Sequence, residues 1–171
     1  MYNPYQSSKT TAAALGAGLL KLADYQPGCT FCDVVAGKIT SVIVFEDQDS
    51  LAFLDHRPLF PGHSLLVPKK HIETLLDLPD QLLTSLFSTT QLLTAAVENA
   101  CHAQGSFVAI NNKVSQSVPH MHVHIVPRRK GDGLKGFFWP RFPYRSEDDK
   151  QAIADAIREE VTRLTVSQKK K

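Results

Sequence analysis

The sequence predicts an α+β fold, a mainly antiparallel sheet of five short strands with one long helix. Two patterns carry that prediction. Apolar runs of strand length recur between polar, turn-forming breaks, and a single extended run repeats its apolar residues at helical spacing. At 171 residues, 43% of them apolar, the chain can bury one well-formed core, so one main domain is expected.

Residues 1–28 read as an N-terminal extension: a polar start, an Ala/Leu/Gly segment from Ala12 to Leu20 with the character of a short helix, then Pro27-Gly28 as a breaker. The Ala12–Leu20 segment is too short to span a bilayer and is followed at once by Lys21 and Asp24. Neither a membrane span nor an arginine-rich presequence is expected, and the cytoplasm, with the nucleus as a second location, is the expected compartment. The main domain should cover 29–145. In it, Val42–Phe45 and Leu51–Leu54 flank the polar Glu46–Ser50 as a hairpin would, and Ser64–Val67 is a third strand. Asp77 and Pro79 stand where a helix N-cap belongs. Beyond them Leu82, Leu83, Leu86, Phe87, Thr90, Leu93, Val97 and Ala100 recur at helical spacing. Ser106–Ile110 and His120–Val126 supply the last two strands, joined by the polar loop Asn111–Ser117. Ser146 can cap a final helix with Ile153, Ile157, Val161 and Leu164 on one face, so 146–171 forms a C-terminal helix and basic tail.

The formal charge of +2 is too small for a basic nucleic-acid cleft, and its one cluster is the terminal Lys169, Lys170 and Lys171. Binding to polynucleotides is not indicated. Three cysteines make an odd count, and Cys29-Thr-Phe-Cys32 reads as a metal half-site rather than a disulfide framework, which suits a reducing compartment. The long helix carries more apolar side chains, Leu82, Leu83, Leu86, Phe87, Leu92 and Leu93 among them, than one sheet needs. A homodimer would bury the excess.

The chemistry concentrates at residues 120–124. Alternation along a strand sends His120, His122 and His124 to one face and Met121, Val123 and Ile125 to the other, so three imidazoles line up over an apolar back. From the triplet alone, catalysis and metal ligation are both open.

The segment Gln116-Ser-Val-Pro-His-Met-His-Val-His-Ile-Val-Pro-Arg128 resembles the histidine-triad (HIT) nucleotide-binding superfamily, whose signature is His-x-His-x-His followed by two apolar residues. The resemblance runs from about Cys29 to Arg141 and takes in Val44-Phe-Glu-Asp47, Ala52-Phe-Leu-Asp55, Pro61-Gly-His63 and Val67-Pro-Lys-Lys-His-Ile72. It implies a homodimer of five-stranded antiparallel sheets and a purine nucleotide substrate. His122 is the implied nucleophile toward phosphorus, with His124 and His63 supporting the phosphate and its proton transfers. Backbone N–H groups of Ser115, Gln116 and Ser117 are implied donors to phosphate oxygens, with the Ser117 hydroxyl near the leaving group. Asp55 matches the carboxylate that binds the ribose hydroxyls, Phe31 and Phe53 the walls of the base pocket, and Asn111 a phosphate-side amide. Branches with a Cys-x-x-Cys imply a structural zinc site, here Cys29, Cys32, His71 and His120, with no position open for water. No organic cofactor is implied.

Two departures stand out. Ser115 occupies a position where glycine is usual, in a loop shorter than in many relatives, and His56 replaces a residue that is often apolar. The chemistry of imidazole fits the implied mechanism: it is a neutral nucleophile near pH 7, and a phosphorylated imidazole is a good leaving group. The expected activity is hydrolysis of a nucleoside phosphoramidate or related nucleotide through a nucleotidyl-His122 intermediate, releasing a nucleoside monophosphate. A dinucleoside polyphosphate hydrolase or nucleotidyltransferase would use the same histidine. A nucleotide-binding regulator with incidental turnover is the alternative from another class.

Overall fold

A computed structural model describes residues 24–134 and 144–168, so the Ala12–Leu20 segment lies outside the described residues. In chain order the elements are α1 (Thr30–Val35), β1 (Ile43–Glu46), β2 (Ser50–Leu54), β3 (Ser64–Pro68), α2 (Asp80–Ala100), β4 (Gly105–Ile110), β5 (Val123–Arg128) and α3 (Glu147–Gln168). The five strands form one sheet in the order β1-β2-β3-β5-β4, and every neighbouring pair is antiparallel. The α+β expectation holds. The chain divides into two compact units, Met1–Asp132 with the sheet and Gly133–Lys171 with α3.

Alternation explains how the sheet is covered on both faces. Ala52 and Leu66 join Met121, Val123 and Ile125 in a core closed by Leu86, Leu93 and Val97 of α2. Their neighbours Leu51, Phe53, Leu65 and Val67 point the other way, into a second core closed by Phe31, Cys32 and Val34 of α1. With both faces occupied, β2 and β3 read as continuous apolar runs rather than alternating ones.

Three local expectations need correction. Asp77 does not cap the long helix: Thr74 and Asp77 form a reciprocal capping box on a short 3₁₀ turn, Leu75–Asp77, and α2 starts after Pro79 with no side-chain cap. β5 begins at Val123 rather than His120, because pairing with β3 and β4 starts there, and it runs on to Arg128. The short helix α1 has no counterpart in the sequence reading. Six residues give no measurable period, and its cap is the Cys29 thiol accepting the Cys32 N–H at 3.5 Å.

On α2, Leu86, Thr89, Thr90, Leu93 and Val97 are buried, whereas Phe87 and Leu92 are 42% and 57% exposed. Ser146 Oγ accepts the Asp149 N–H at 3.1 Å at the start of α3, as expected of a cap. Ile153 and Ile157 are exposed on that helix, and the Val161 and Leu164 side chains lie outside the described residues.

Candidate active site and metal cluster

The triad straddles the start of β5. His120, Met121 and His122 precede the ladder, yet side-chain alternation persists through them: Met121, Val123 and Ile125 enter the α2 core, while Phe31 of α1 packs edge-on against His120 and His122 at 6.0 and 5.1 Å between ring centres. His122 and His124 are neighbours at 4.8 Å. His120 and His122 are buried and His124 is half-buried.

Hydrogen bonds fix which nitrogen carries each proton. His122 Nδ1 lies 2.7 Å from the His120 carbonyl, which can only accept, so Nδ1 bears the proton and Nε2 keeps the lone pair. The Leu59 N–H donates to His63 Nδ1 at 3.2 Å, which puts the His63 proton on Nε2. That proton is donated to His124 Nδ1 at 3.0 Å, leaving His124 with its own proton on Nε2. Asp55 Oδ2, 3.5 Å from His63 Nδ1, favours any second proton His63 takes up. Burial holds His122 and His63 below the usual imidazole range and pushes His124 down to about 4, helped there by His122 and His63. All three imidazoles are therefore neutral near pH 7, the form in which Nε2 of His122 is a nucleophile.

Phe31, Phe53, Asp55, Ser117, His122 and His124 line one cavity of about 630 Å³, within the range of small-ligand sites. Of the residues singled out in the sequence, these six come together. His63 stands behind His124. Asn111, Ser115 and Gln116 are not in the cavity wall: the Gln116 amide donates to the Glu73 carbonyl at 2.6 Å and accepts from the Lys113 N–H at 2.7 Å, tying the loop to the turn before α2. Ser115 has φ +61°, the left-handed backbone that favours glycine, so the departure from glycine leaves the loop's conformation in place at a steric cost. His56 and Arg57 stand at the rim beside Asp55, which accepts the Arg57 N–H at 2.8 Å. Sequence reasoning missed Leu65, Thr40 and Ser41 as wall residues. Leu65 was findable, since it pairs across from Phe53; Thr40 and Ser41 lie in a loop without periodicity.

The second cluster gathers Cys29, Cys32, His71 and His120, whose ligand atoms all lie within 4.8 Å of one another. Cys29 Sγ is 3.4 Å and Cys32 Sγ 3.6 Å from His120 Nδ1, and Cys32 Sγ is 3.3 Å from His71 Nδ1. An S-to-N edge of a tetrahedron around zinc is about 3.5 Å for the usual bond lengths, so the four atoms fit one ion. His120 Nε2 donates to the Pro68 carbonyl at 2.9 Å, which turns the Nδ1 lone pair toward the thiols. Burial pushes the Cys32 thiol up to about 11, so a cation is what would draw out its thiolate. Asp55, His63 and His124 also converge, but both nitrogens of His63 are engaged, one by Leu59 N–H and one by His124. His63 and His124 form a hydrogen-bonded pair, with the Asp55 carboxylate beside it at 3.5 Å.

A His-x-His-x-His triad set on a five-stranded antiparallel sheet, above a nucleoside-sized cavity, defines a histidine-triad protein. The chain belongs to the HIT domain family, whose model matches residues 36–131. It is 36% identical to Protein hit of Bacillus subtilis over 132 residues, 75% of this chain and 91% of that protein. Two other relatives are named for nucleotide hydrolysis. Adenylylsulfatase HINT3 of Arabidopsis thaliana is 31% identical over 74% of this chain and 66% of its own length. The asymmetrical bis(5'-nucleosyl)-tetraphosphatase of Schizosaccharomyces pombe is 35% identical over 55% of this chain and 53% of its own length. Among solved structures, a HIT family member from Bacillus subtilis has a TM-score of 0.70 at 34% identity, covering 77% of this chain and 96% of that one. A Zn-bound histidine triad family protein from Mycobacterium smegmatis has a TM-score of 0.60 at 33% identity, covering 79% and 97%.

Proposed function

We propose that this protein hydrolyses a nucleoside phosphoramidate or related purine nucleotide through a nucleotidyl-His122 intermediate. The observation that carries the reading is the 2.7 Å bond from His122 Nδ1 to the His120 carbonyl, on a ring that lines the cavity. It commits Nε2 as the attacking atom and stabilises the imidazolium that forms once Nε2 is bonded. The Nε2 lone pair forms the bond to the α-phosphorus as the bond to the leaving amine or phosphate breaks. The leaving group, beside the Ser117 hydroxyl, takes the His124 Nε2 proton as His63 passes its Nε2 proton to His124 Nδ1 and takes up a solvent proton on Nδ1 next to Asp55. Water then gives a proton to His124 Nε2 and attacks the same phosphorus, the P–N bond to His122 breaks, the nucleoside monophosphate leaves, and the relay returns one proton from His63 Nδ1 to solvent. The Ser117 backbone N–H serves the phosphate, Asp55 the ribose hydroxyls, and Phe31 and Phe53 the base.

Zinc at Cys29, Cys32, His71 and His120 would tie α1 to the segment leading into β5 and, with all four positions filled, activate no water. Exposed Phe87 on α2 and Val108 on the edge strand β4 line a groove of about 600 Å³ that a second copy of the chain would cover in a homodimer. Among the described residues no helix is long and apolar enough to cross a membrane, and three free cysteines suit the cytoplasm. The Schizosaccharomyces pombe relative favours a second reading, hydrolysis of dinucleoside polyphosphates by the same histidine. Adenosine phosphoramidate, diadenosine tetraphosphate and adenylyl sulfate, each followed by product analysis, separate the readings. Fastest turnover of the phosphoramidate is expected; tight nucleotide binding with no turnover of any of the three would contradict an enzymatic role.

A further inference from the structure

The triad is held in two different ways. Val123 and His124 sit in the ladder, paired with Leu66 and Leu65 of β3 on one side and with Ile110 and Ala109 of β4 on the other. Neither ladder reaches His122. The backbone of His120, Met121 and His122 hangs instead on the His120 N–H to Val118 carbonyl bond at 2.8 Å, the Met121 N–H to Ile72 carbonyl bond at 2.6 Å, and the buried His120 ring. Two of these three anchors lead to the metal cluster, because Ile72 follows His71 and His120 is itself a member. The same His71–Leu75 stretch holds the loop after β4: the Glu73 carbonyl accepts from Gln116, and the Leu75 N–H donates to Asn112 Oδ1 at 2.9 Å.

We infer that the metal cluster is a positioning device for the nucleophile: a cation held by Cys29, Cys32, His71 and His120 replaces the missing ladder bonds and locks the His120 carbonyl that orients the His122 ring. The inference rests on the reading of His122 as nucleophile. Its physical content is the tautomer. A neutral imidazole places its proton on whichever nitrogen finds an acceptor, and a ring protonated on Nε2 presents no lone pair to the cavity. Loosening the His120 carbonyl therefore admits the non-nucleophilic tautomer without touching the base or ribose contacts. His120 and Ile72 are positioning residues, and neither lines the cavity.

The test compares the full chain as purified with the chain stripped by a chelator and with the stripped chain given zinc again. Three quantities are read: the His122 Nδ1–H resonance, assigned with His122→Gln, the single-turnover rate of nucleotidyl-His122 formation, and the dissociation constant of AMP. Stripping is expected to remove the Nδ1–H resonance and slow adduct formation tenfold or more, while AMP affinity changes less than threefold and zinc restores both losses. An unchanged resonance and adduct rate in the stripped, folded chain would overturn the inference, and so would loss of AMP binding in step with the rest, which marks general unfolding. If the loaded protein forms no adduct on His122, the catalytic reading fails, and the resonance alone decides whether the cluster orients the ring. Should the stripped chain unfold, His71→Asn with metal on the three remaining ligands takes its place. There a tenfold slower adduct at unchanged AMP affinity supports the inference, and a wild-type rate overturns it.

Discussion

Gly62→Ala tests how the loop before β3 delivers His63 to its relay. Gly62 has φ +95°, and a Cβ built on it would sit 2.3 Å from Cys101 Sγ and 3.4 Å from a Pro127 carbon. Holding alanine at positive φ costs about 1–2 kcal/mol. Crowding Cys101, which is half-buried at the end of α2, adds about 1–3 kcal/mol of overpacking. The expected loss of stability is therefore about 2–5 kcal/mol, read by urea denaturation. The two contributions separate in a double-mutant cycle, because Cys101→Ala removes the sulfur but not the backbone strain. Gly62→Ala/Cys101→Ala should recover the overpacking share and keep a deficit of about 1–2 kcal/mol. His63 follows directly, with its carbonyl accepting the Asp55 N–H at 2.9 Å and its Nε2 on His124, so the single variant should also lose activity in its folded fraction. A Gly62→Ala variant within 0.5 kcal/mol of wild type, roughly the noise of such measurements, or a double variant no better than the single, would refute this reasoning.

Three further outcomes are expected. Ser115→Gly relieves a left-handed serine and should raise stability by up to about 1 kcal/mol in urea denaturation, once the greater freedom of glycine in the unfolded chain is offset. His63 and His124 have folded pKa values below the unfolded 6.5, so the unfolded chain binds more protons as pH falls; the stability they contribute is complete above pH 6.5 and is lost as pH falls, for His124 progressively down to about pH 4 with a slope approaching about 1.4 kcal/mol per pH unit. Denaturation midpoints from pH 7.5 to 4 check the sign, and stability that rises on acidification over that range would contradict it. Phe87→Glu should shift the mass at micromolar concentration from dimer to monomer, as read by light scattering, and a wild-type chain that is already monomeric would remove the homodimer proposal.

Much of the sheet was legible because apolar runs of strand length stand between polar, turn-forming breaks: Leu51–Leu54, Ser64–Val67 and Ser106–Ile110 all fall in strands. The start of β5 was not legible. His120-Met-His122 keeps the alternation of a strand without its ladder, and alternation is all that a sequence displays. Asp77 looked like the cap of α2, but a capping box three residues earlier competes for it, and only the geometry of Thr74 decides the contest. In the site, the triad announced itself by spacing. His63 did not, since 61 residues separate it from His124 and resemblance alone marked it. Tautomers were beyond reach, because they depend on the Leu59 N–H and the Pro68 and His120 carbonyls, backbone groups that every residue carries. Gln116 illustrates the reverse case: its loop position was readable, but its side chain is spent on Glu73 and Lys113.

The most direct test of the account is to quench a single turnover of radiolabelled adenosine phosphoramidate and locate the label on the protein. The account predicts one nucleotidyl group per active site, labile in acid and stable in base as a phosphorus–nitrogen bond requires, in a peptide containing His122 and absent from His122→Ala, which still binds AMP while turnover falls by about a thousandfold or more. Label on another residue, or a His122→Ala protein with activity within tenfold of wild type, would contradict it.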